Sequence, residues 1–112
     1  MIEGYSFGRF SFGGNDYTSD VIIHGASVTS WWRVAGHSVA CEDIETLVTE
    51  KPATIVIGTG ANALMRVPQE TRQFIGDSGI QLIVEDTAKA VQTFNRLQAD
   101  GVDVAIAMHL TC

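Results

Sequence analysis

Basic residues are scarce in this chain: two lysines and five scattered arginines stand against thirteen acidic residues, for a formal net charge of −6 over 112 residues. A protein that tracks a phosphate backbone needs a basic stripe, and one that lies on anionic lipid needs a polybasic segment. Neither is present, so nucleic acid and membrane surfaces are not expected partners. Long apolar runs are missing as well. No stretch approaches the roughly 20 residues of a membrane-spanning helix. Met1-Ile-Glu-Gly-Tyr5 has neither a basic flank nor an apolar signal core, and the expected location is the cytoplasm. Cysteine is limited to Cys41 and Cys112, far apart in sequence, so reduced thiols are expected rather than a structural disulfide.

Familiar catalytic signatures are also lacking. There is no C-x-x-C, H-E-x-x-H or G-x-S-x-G. His37 and Cys41 straddle an expected helix start, and His109 with Cys112 closes the sequence. Neither pair makes a metal site without further ligands. Glu42, Asp43 and Glu45 read as a solvated helix start, and Cys41 as a buried or capping side chain in preference to a nucleophile. The expectation is therefore no catalytic residue, no metal and no cofactor.

What is present is a texture change near residue 40. Before it, Tyr5-Ser-Phe-Gly-Arg-Phe-Ser-Phe12 alternates bulky and small side chains, Gly13 to Asp16 is a turn cluster, and Tyr17 to His24 is β-rich. Gly25-Ala26 turns the chain into Ser27-Val-Thr-Ser-Trp-Trp-Arg33. These segments predict a three-strand meander. After residue 41, helix and strand alternate. Ile44, Leu47 and Val48 share a helical face ended by Pro52. Pro68 opens a second helix, with Gly79 as its cap. Thr87 caps a third, in which Val91, Phe94 and Leu97 recur on one side before Asp100-Gly101.

Between the helices lie unbroken apolar segments, Thr54 to Gly58, Ile80 to Glu85 and Val102 to Leu110. Such runs are the habit of strands buried on both faces, and right-handed crossovers would make the three parallel neighbours. The chain is one domain, 1–112, of the α/β class. A central, mostly parallel sheet is flanked by helices, and the meander packs on it as an extra layer.

Gly58-Thr-Gly60-Ala-Asn-Ala63 fits the G-x-G-x-x-A form of a dinucleotide fingerprint, with Glu85 and Asp86 at the end of the next strand. The helix that should begin inside the glycine loop is instead deferred to Pro68, and a second mononucleotide half is missing, so NAD is not expected to bind. A smaller anion is a candidate ligand, held by the N–H groups of Gly58, Thr59, Gly60 and Asn62 with the Arg66 guanidinium. Trp31 and Trp32 raise a second question. Adjacent strand residues point to opposite faces, so one ring needs a second cover, either the chain itself or a partner. Trp31, Trp32 and Arg33 are thus candidate interface residues.

Taken together, Gly4-Tyr-Ser-Phe-Gly-Arg9, Tyr17-Thr-Ser-Asp-Val21, Trp31-Trp-Arg33 with Gly36-His37, Ile55-Val-Ile-Gly-Thr-Gly60, Arg66-Val-Pro68 and Thr87 followed by Phe94-Asn-Arg-Leu97 resemble one small family in order and spacing. It is the uncharacterised domain shared by archaeal and bacterial hypothetical proteins, the human adipogenesis-associated protein and a mitochondrial complex I assembly factor. The resemblance spans essentially the whole chain. It implies a three-layer fold, with helices on one side of a mixed sheet and helix plus small β-layer on the other, and no established enzyme activity. Unlike for mitochondrial members, no transit peptide is expected, and where the family has a basic Glu-Gly-Arg after the last helix this chain has Asp100-Gly-Val102.

Two functional classes follow. One is a non-catalytic assembly or interaction module, acting on a protein partner or by self-association through the tryptophan region. The other is a binder of a small anion, with or without enzymatic turnover, at the Gly58 to Gly60 crevice.

Overall fold

The computed structural model describes residues 1–112. Eight strands and three helices form two sheets and two helical faces. Strands β1 (Ile2–Ser6), β2 (Arg9–Phe12) and β3 (Asn15–Tyr17) make a small antiparallel sheet. The run from Tyr5 to Phe12 is therefore two strands and not one. Gly8, at a φ of 78°, lets the chain reverse at Phe7-Gly8 and pair Ser6 with Arg9.

The remaining strands, β4 (Val21–His24), β5 (Ser27–Ser30), β6 (Thr54–Thr59), β7 (Gln81–Glu85) and β8 (Val104–His109), form a mixed sheet in the order β5-β4-β8-β6-β7. β6 lies between β7 and β8, parallel to both, as the apolar runs imply. The expected meander is divided between the sheets: β4 pairs antiparallel with β8, carrying β5 outward to the edge. β4 is apolar on both faces, and only the central sheet offers cover for both. The other edge is β7, half-buried rather than fully buried because it has one neighbour.

Helix α1 (Cys41–Glu50) starts where Asp43 reaches back to the Ala40 N–H at 2.8 Å and ends at Lys51 in the left-handed conformation, just before Pro52. α2 (Gln69–Asp77) begins one residue after Pro68, which is its N-cap, and Gly79 follows its C-cap with a φ of 79°. α3 (Thr87–Ala99) is capped by Asp86, whose carboxylate accepts the Lys89 N–H at 3.0 Å. Thr87 is its first helical residue and is used elsewhere.

Alternation along β6 and β8 divides the core. Ile55, Ile57, Ala105 and Ala107 meet α1 and α2 through Ile44, Leu47 and Ile75. Val56, Val104, Ile106 and Met108 meet α3 and the small sheet through Phe94, Ile2 and Phe10. The fold is three-layered: helices on one face, helix plus small β-sheet on the other. Asn95 ties the last two together, accepting the Ile2 N–H at 2.9 Å and donating to the Ile2 carbonyl at 2.8 Å.

Candidate functional site

The carboxyl ends of β6 and β8 and the loop of residues 31–40 converge on one side of the sheet. That loop is held by Asp43. Its carboxylate accepts the N–H groups of Val34 (3.1 Å) and Ala40 (2.8 Å), and its carbonyl accepts the Trp31 indole N–H (2.9 Å). Residue 66 pairs with the same loop, donating Arg66 N–H to the His37 carbonyl at 2.8 Å and accepting Val39 N–H at 3.0 Å.

Sequence reasoning grouped Trp31, Trp32 and Arg33 as interface residues, and two of the three turn inward. β5 ends at Ser30, so the pair is not on a strand at all. The opposite facing persists, set by the loop. Trp31 is 6% exposed beneath α1, whereas Trp32 is 78% exposed. Arg33 is buried because Asp20 supplies its counter-charge. Nη2 donates to Asp20 Oδ2 and to the Gly36 carbonyl, each at 2.8 Å, and the guanidinium lies 4.5 Å from the centre of the Trp31 ring.

Asp20 is the hub of this cluster. Besides Arg33, it accepts from His109 Nδ1 at 2.8 Å and from the Leu110 N–H at 2.8 Å. Burial alone would raise its carboxyl. Hydrogen bonds from His109, Leu110 and Arg33 outweigh that and hold it below the usual carboxylate range. Asp20, His109 and His37 were not joined by any sequence pattern; 89 positions separate Asp20 from His109. The fold separates the sequence pair His37–Cys41 and keeps His109 with Cys112, adding His37 to them. His37, His109 and Cys112 come together, with ligand atoms within 4.8 Å of one another, while Cys41 lies apart beside Glu70 and Thr71.

The glycine crevice is built differently from an open anion cradle. Gly60 N–H donates to Thr87 Oγ1 at 2.8 Å, Ala61 N–H to the Thr111 carbonyl at 3.0 Å and Asn62 N–H to Cys112 O at 3.2 Å. These amides are spent on the chain itself, which corrects the expectation that they face a ligand. No helix starts in the glycine loop; the next begins at Gln69. Of the five candidate residues, Thr59 and Arg66 line a recess of about 430 Å³, joined by Arg72, Glu85 and Asp86. Gly58 is needed for packing: a Cβ there would sit 2.9 Å from Thr87 Oγ1 and 3.2 Å from Thr87 Cα.

A second cleft, of about 470 Å³, runs between the free edge strand β5 and α1. Its walls include Thr29, Trp32, Val34, Glu42, Thr46 and Glu50. No helix of the chain is long and apolar enough to cross a membrane.

A mixed five-strand sheet covered by three helices and a three-strand antiparallel layer defines the class: a small three-layer α/β domain. The chain belongs to the family described as protein of unknown function (DUF498/DUF598), whose model matches residues 2–109. Solved structures agree over the whole chain. MT938 is 28% identical, with 100% of this chain and 98% of that one covered and a TM-score of 0.86. A conserved hypothetical protein of Pyrococcus horikoshii OT3 is 19% identical, with 100% and 99% covered and a TM-score of 0.90. A Bartonella henselae protein described as an outer membrane protein is 26% identical, with 99% and 94% covered and a TM-score of 0.86.

Proposed function

We propose that this domain is a non-catalytic interaction module that receives an extended, basic segment of a partner protein along the free edge of β5. The carrying observation is Trp32, 78% exposed at the rim of the β5–α1 cleft beside Val34 at 58%. A large aromatic left in water next to an unpaired strand edge supplies the two components of strand addition: backbone groups for affinity and an apolar anchor for register. β5, Ser27-Val-Thr-Ser30, carries no lysine, proline or bulge, the usual devices that blunt an edge. The charge of the occupant follows from the walls. Glu42, Asp43 and Glu50 are acidic; His24, paired with Glu50, is the one titratable cation on the walls, and no lysine or arginine lines the cleft. Assembly of a respiratory complex, the role implied by the resemblance, is one instance of this class, and the cytoplasm is the proposed place of action.

The test is a titration of the protein with a synthetic peptide of alternating Lys and Val residues, followed by amide chemical shifts. Shifts confined to Ser27–Trp32 and α1, abolished by Trp32→Ala and by Thr29→Pro with the fold intact, support the reading. A concentration-dependent dimer using the same residues would replace the foreign partner with a second copy. Shifts scattered over the surface, or none, overturn it. A second reading, an anion binder at the recess of Arg66 and Arg72, is supported by the two arginines among its lining residues. It requires shifts at Arg66 and Arg72 on addition of inorganic phosphate.

A further inference from the structure

We propose that His37, His109 and Cys112 form a site for a divalent zinc ion, with Asp20 orienting His109 from behind. One ring nitrogen of His109 is buried without a partner. His109 is 6% exposed, and its Nε2 makes no hydrogen bond. An imidazole nitrogen buried and unpaired carries a desolvation cost that native proteins rarely leave in place.

The other ring nitrogen decides what Nε2 has to offer. Nδ1 lies 2.8 Å from Asp20 Oδ2. Arg33 Nη2 also lies 3.2 Å from Nδ1, but its two hydrogens go to the shorter contacts with Asp20 and Gly36; the Asp20 carboxylate only accepts, so Nδ1 carries the proton. In the neutral ring, Nε2 is then a bare lone pair. A carboxylate behind a histidine, fixing its tautomer and ring orientation, is the usual support of a metal-bound imidazole. Asp20 is itself fixed, by the Leu110 N–H and by Arg33. Arg33 would oppose a cation, but its charge is matched by Asp20 at 2.8 Å, and a Cys112 thiolate adds the negative charge that a metal ion needs.

The remaining ligands converge on the same place. The ring of His37 stands edge-on to that of His109, with centroids 5.6 Å apart. One ligand atom from each of His37, His109 and Cys112 lies within 4.8 Å of the others. Zinc bonded at about 2.0–2.1 Å to nitrogen and about 2.3 Å to sulfur in a tetrahedron sets ligand atoms roughly 3.3–3.6 Å apart. Rotation of the exposed His37 and the half-buried Cys112 side chain covers the difference. Two imidazoles and one thiolate suit zinc better than calcium or magnesium, which take oxygen. Three protein ligands leave the fourth position to water, and the exposure of His37 opens it to solvent.

The experiment strips the protein with chelator and titrates it with Co²⁺ as a spectroscopic stand-in, then with Zn²⁺. One equivalent of Co²⁺ should produce tetrahedral d–d bands and a thiolate-to-cobalt charge-transfer band, both erased by Zn²⁺. Cys112→Ser should remove the charge-transfer band, and His37→Ala, a change at an exposed side chain that spares the fold, should weaken binding at least tenfold. Asp20→Asn should weaken it about 10–100-fold while keeping the band, as expected of a positioning residue. Zinc should also shield Cys112, and not Cys41, from a thiol reagent. Absence of the charge-transfer band in the wild-type protein, or an affinity in His37→Ala and Cys112→Ser equal to that of the wild type, overturns the proposal.

Discussion

Gly60 and Thr87 are bound to each other twice. The Gly60 N–H donates to Thr87 Oγ1 at 2.8 Å, and the Thr87 N–H donates to the Gly60 carbonyl at 3.1 Å. The Thr87 hydroxyl donates its own hydrogen bond to the His109 carbonyl at 2.6 Å. One fully buried side chain thereby joins the ends of β6 and β8 to the start of α3. Thr87→Val keeps the shape and removes the hydroxyl, leaving one donor and one acceptor buried without partners. The expected loss is about 1–3 kcal/mol for each orphaned group, read as a lower urea midpoint at unchanged m-value, with Thr87→Ser close to wild type.

Gly60 is also the position least tolerant of a side chain. Its φ is 106°, and a Cβ would collide with Thr111 O and lie 2.5 Å from Cys112 C, both backbone atoms. Gly60→Ala should cost about 1–3 kcal/mol from backbone strain alone and push residues 111–112 outward. The expected signature is coupled: a lower thermal midpoint together with faster modification of Cys112 by a thiol reagent.

The same glycine carried the dinucleotide question, and the answer follows from where its amide points. With the Gly60, Ala61 and Asn62 amides donating inside the chain, a pyrophosphate would have to displace them. Calorimetric titration with NAD and with NADP should show no stoichiometric site of micromolar affinity. A site that disappears in Gly60→Val would reverse this expectation.

Legibility in the sequence follows the range of the forces involved. β6, α3 and the parallel pairing of β6 with β7 and β8 could be read because apolar runs, helical spacing and handed crossovers are local or nearly local signals. The assignment of β4 and β5 to the main sheet could not. The segment Val21 to His24 has the same β character whether its neighbour is β3 or β8, and the choice is made by burial across 80 residues or more of chain. The Asp20–His109–Arg33 cluster failed for the same reason, since each partner alone reads as an ordinary surface polar residue. Arg33 was assigned to an interface because nothing nearby in sequence announced the carboxylate that buries it.

The tryptophan pair separates stability from association in two adjacent residues. Trp31 packs beneath α1 and donates its indole N–H to Asp43, so Trp31→Ala should cost about 3–5 kcal/mol. Trp32 contacts mostly solvent, so Trp32→Ala should leave stability within about 0.5 kcal/mol of wild type. Chemical unfolding of the two variants, with partner-peptide binding measured alongside, distinguishes them. Equal destabilisation by both would mean that the Trp32 ring is packed in solution.

His24 provides a pH dependence near neutrality that the fold makes specific. Its Nδ1 lies 2.7 Å from Glu50 Oε1 and its Nε2 2.8 Å from Asp103 Oδ1, so the side chain ties β4 to the end of α1 and to the turn before β8. Burial by itself would lower its pKa, but hydrogen bonds to Glu50 and Asp103, and their charges, more than reverse that and raise it above 6.5. A group protonated more readily in the folded than in the unfolded chain binds extra protons on folding. Its stabilisation is fully present below about pH 6.5 and is lost as pH rises through the raised native value. Glu50 and Asp103 are each about half exposed, so the effect should be near 1 kcal/mol or less and should shrink in high salt. Urea unfolding between pH 6 and pH 8.5 should show stability declining with pH in the wild type. His24→Gln, uncharged throughout, should flatten that decline, and a slope unchanged in the variant would assign it to other groups.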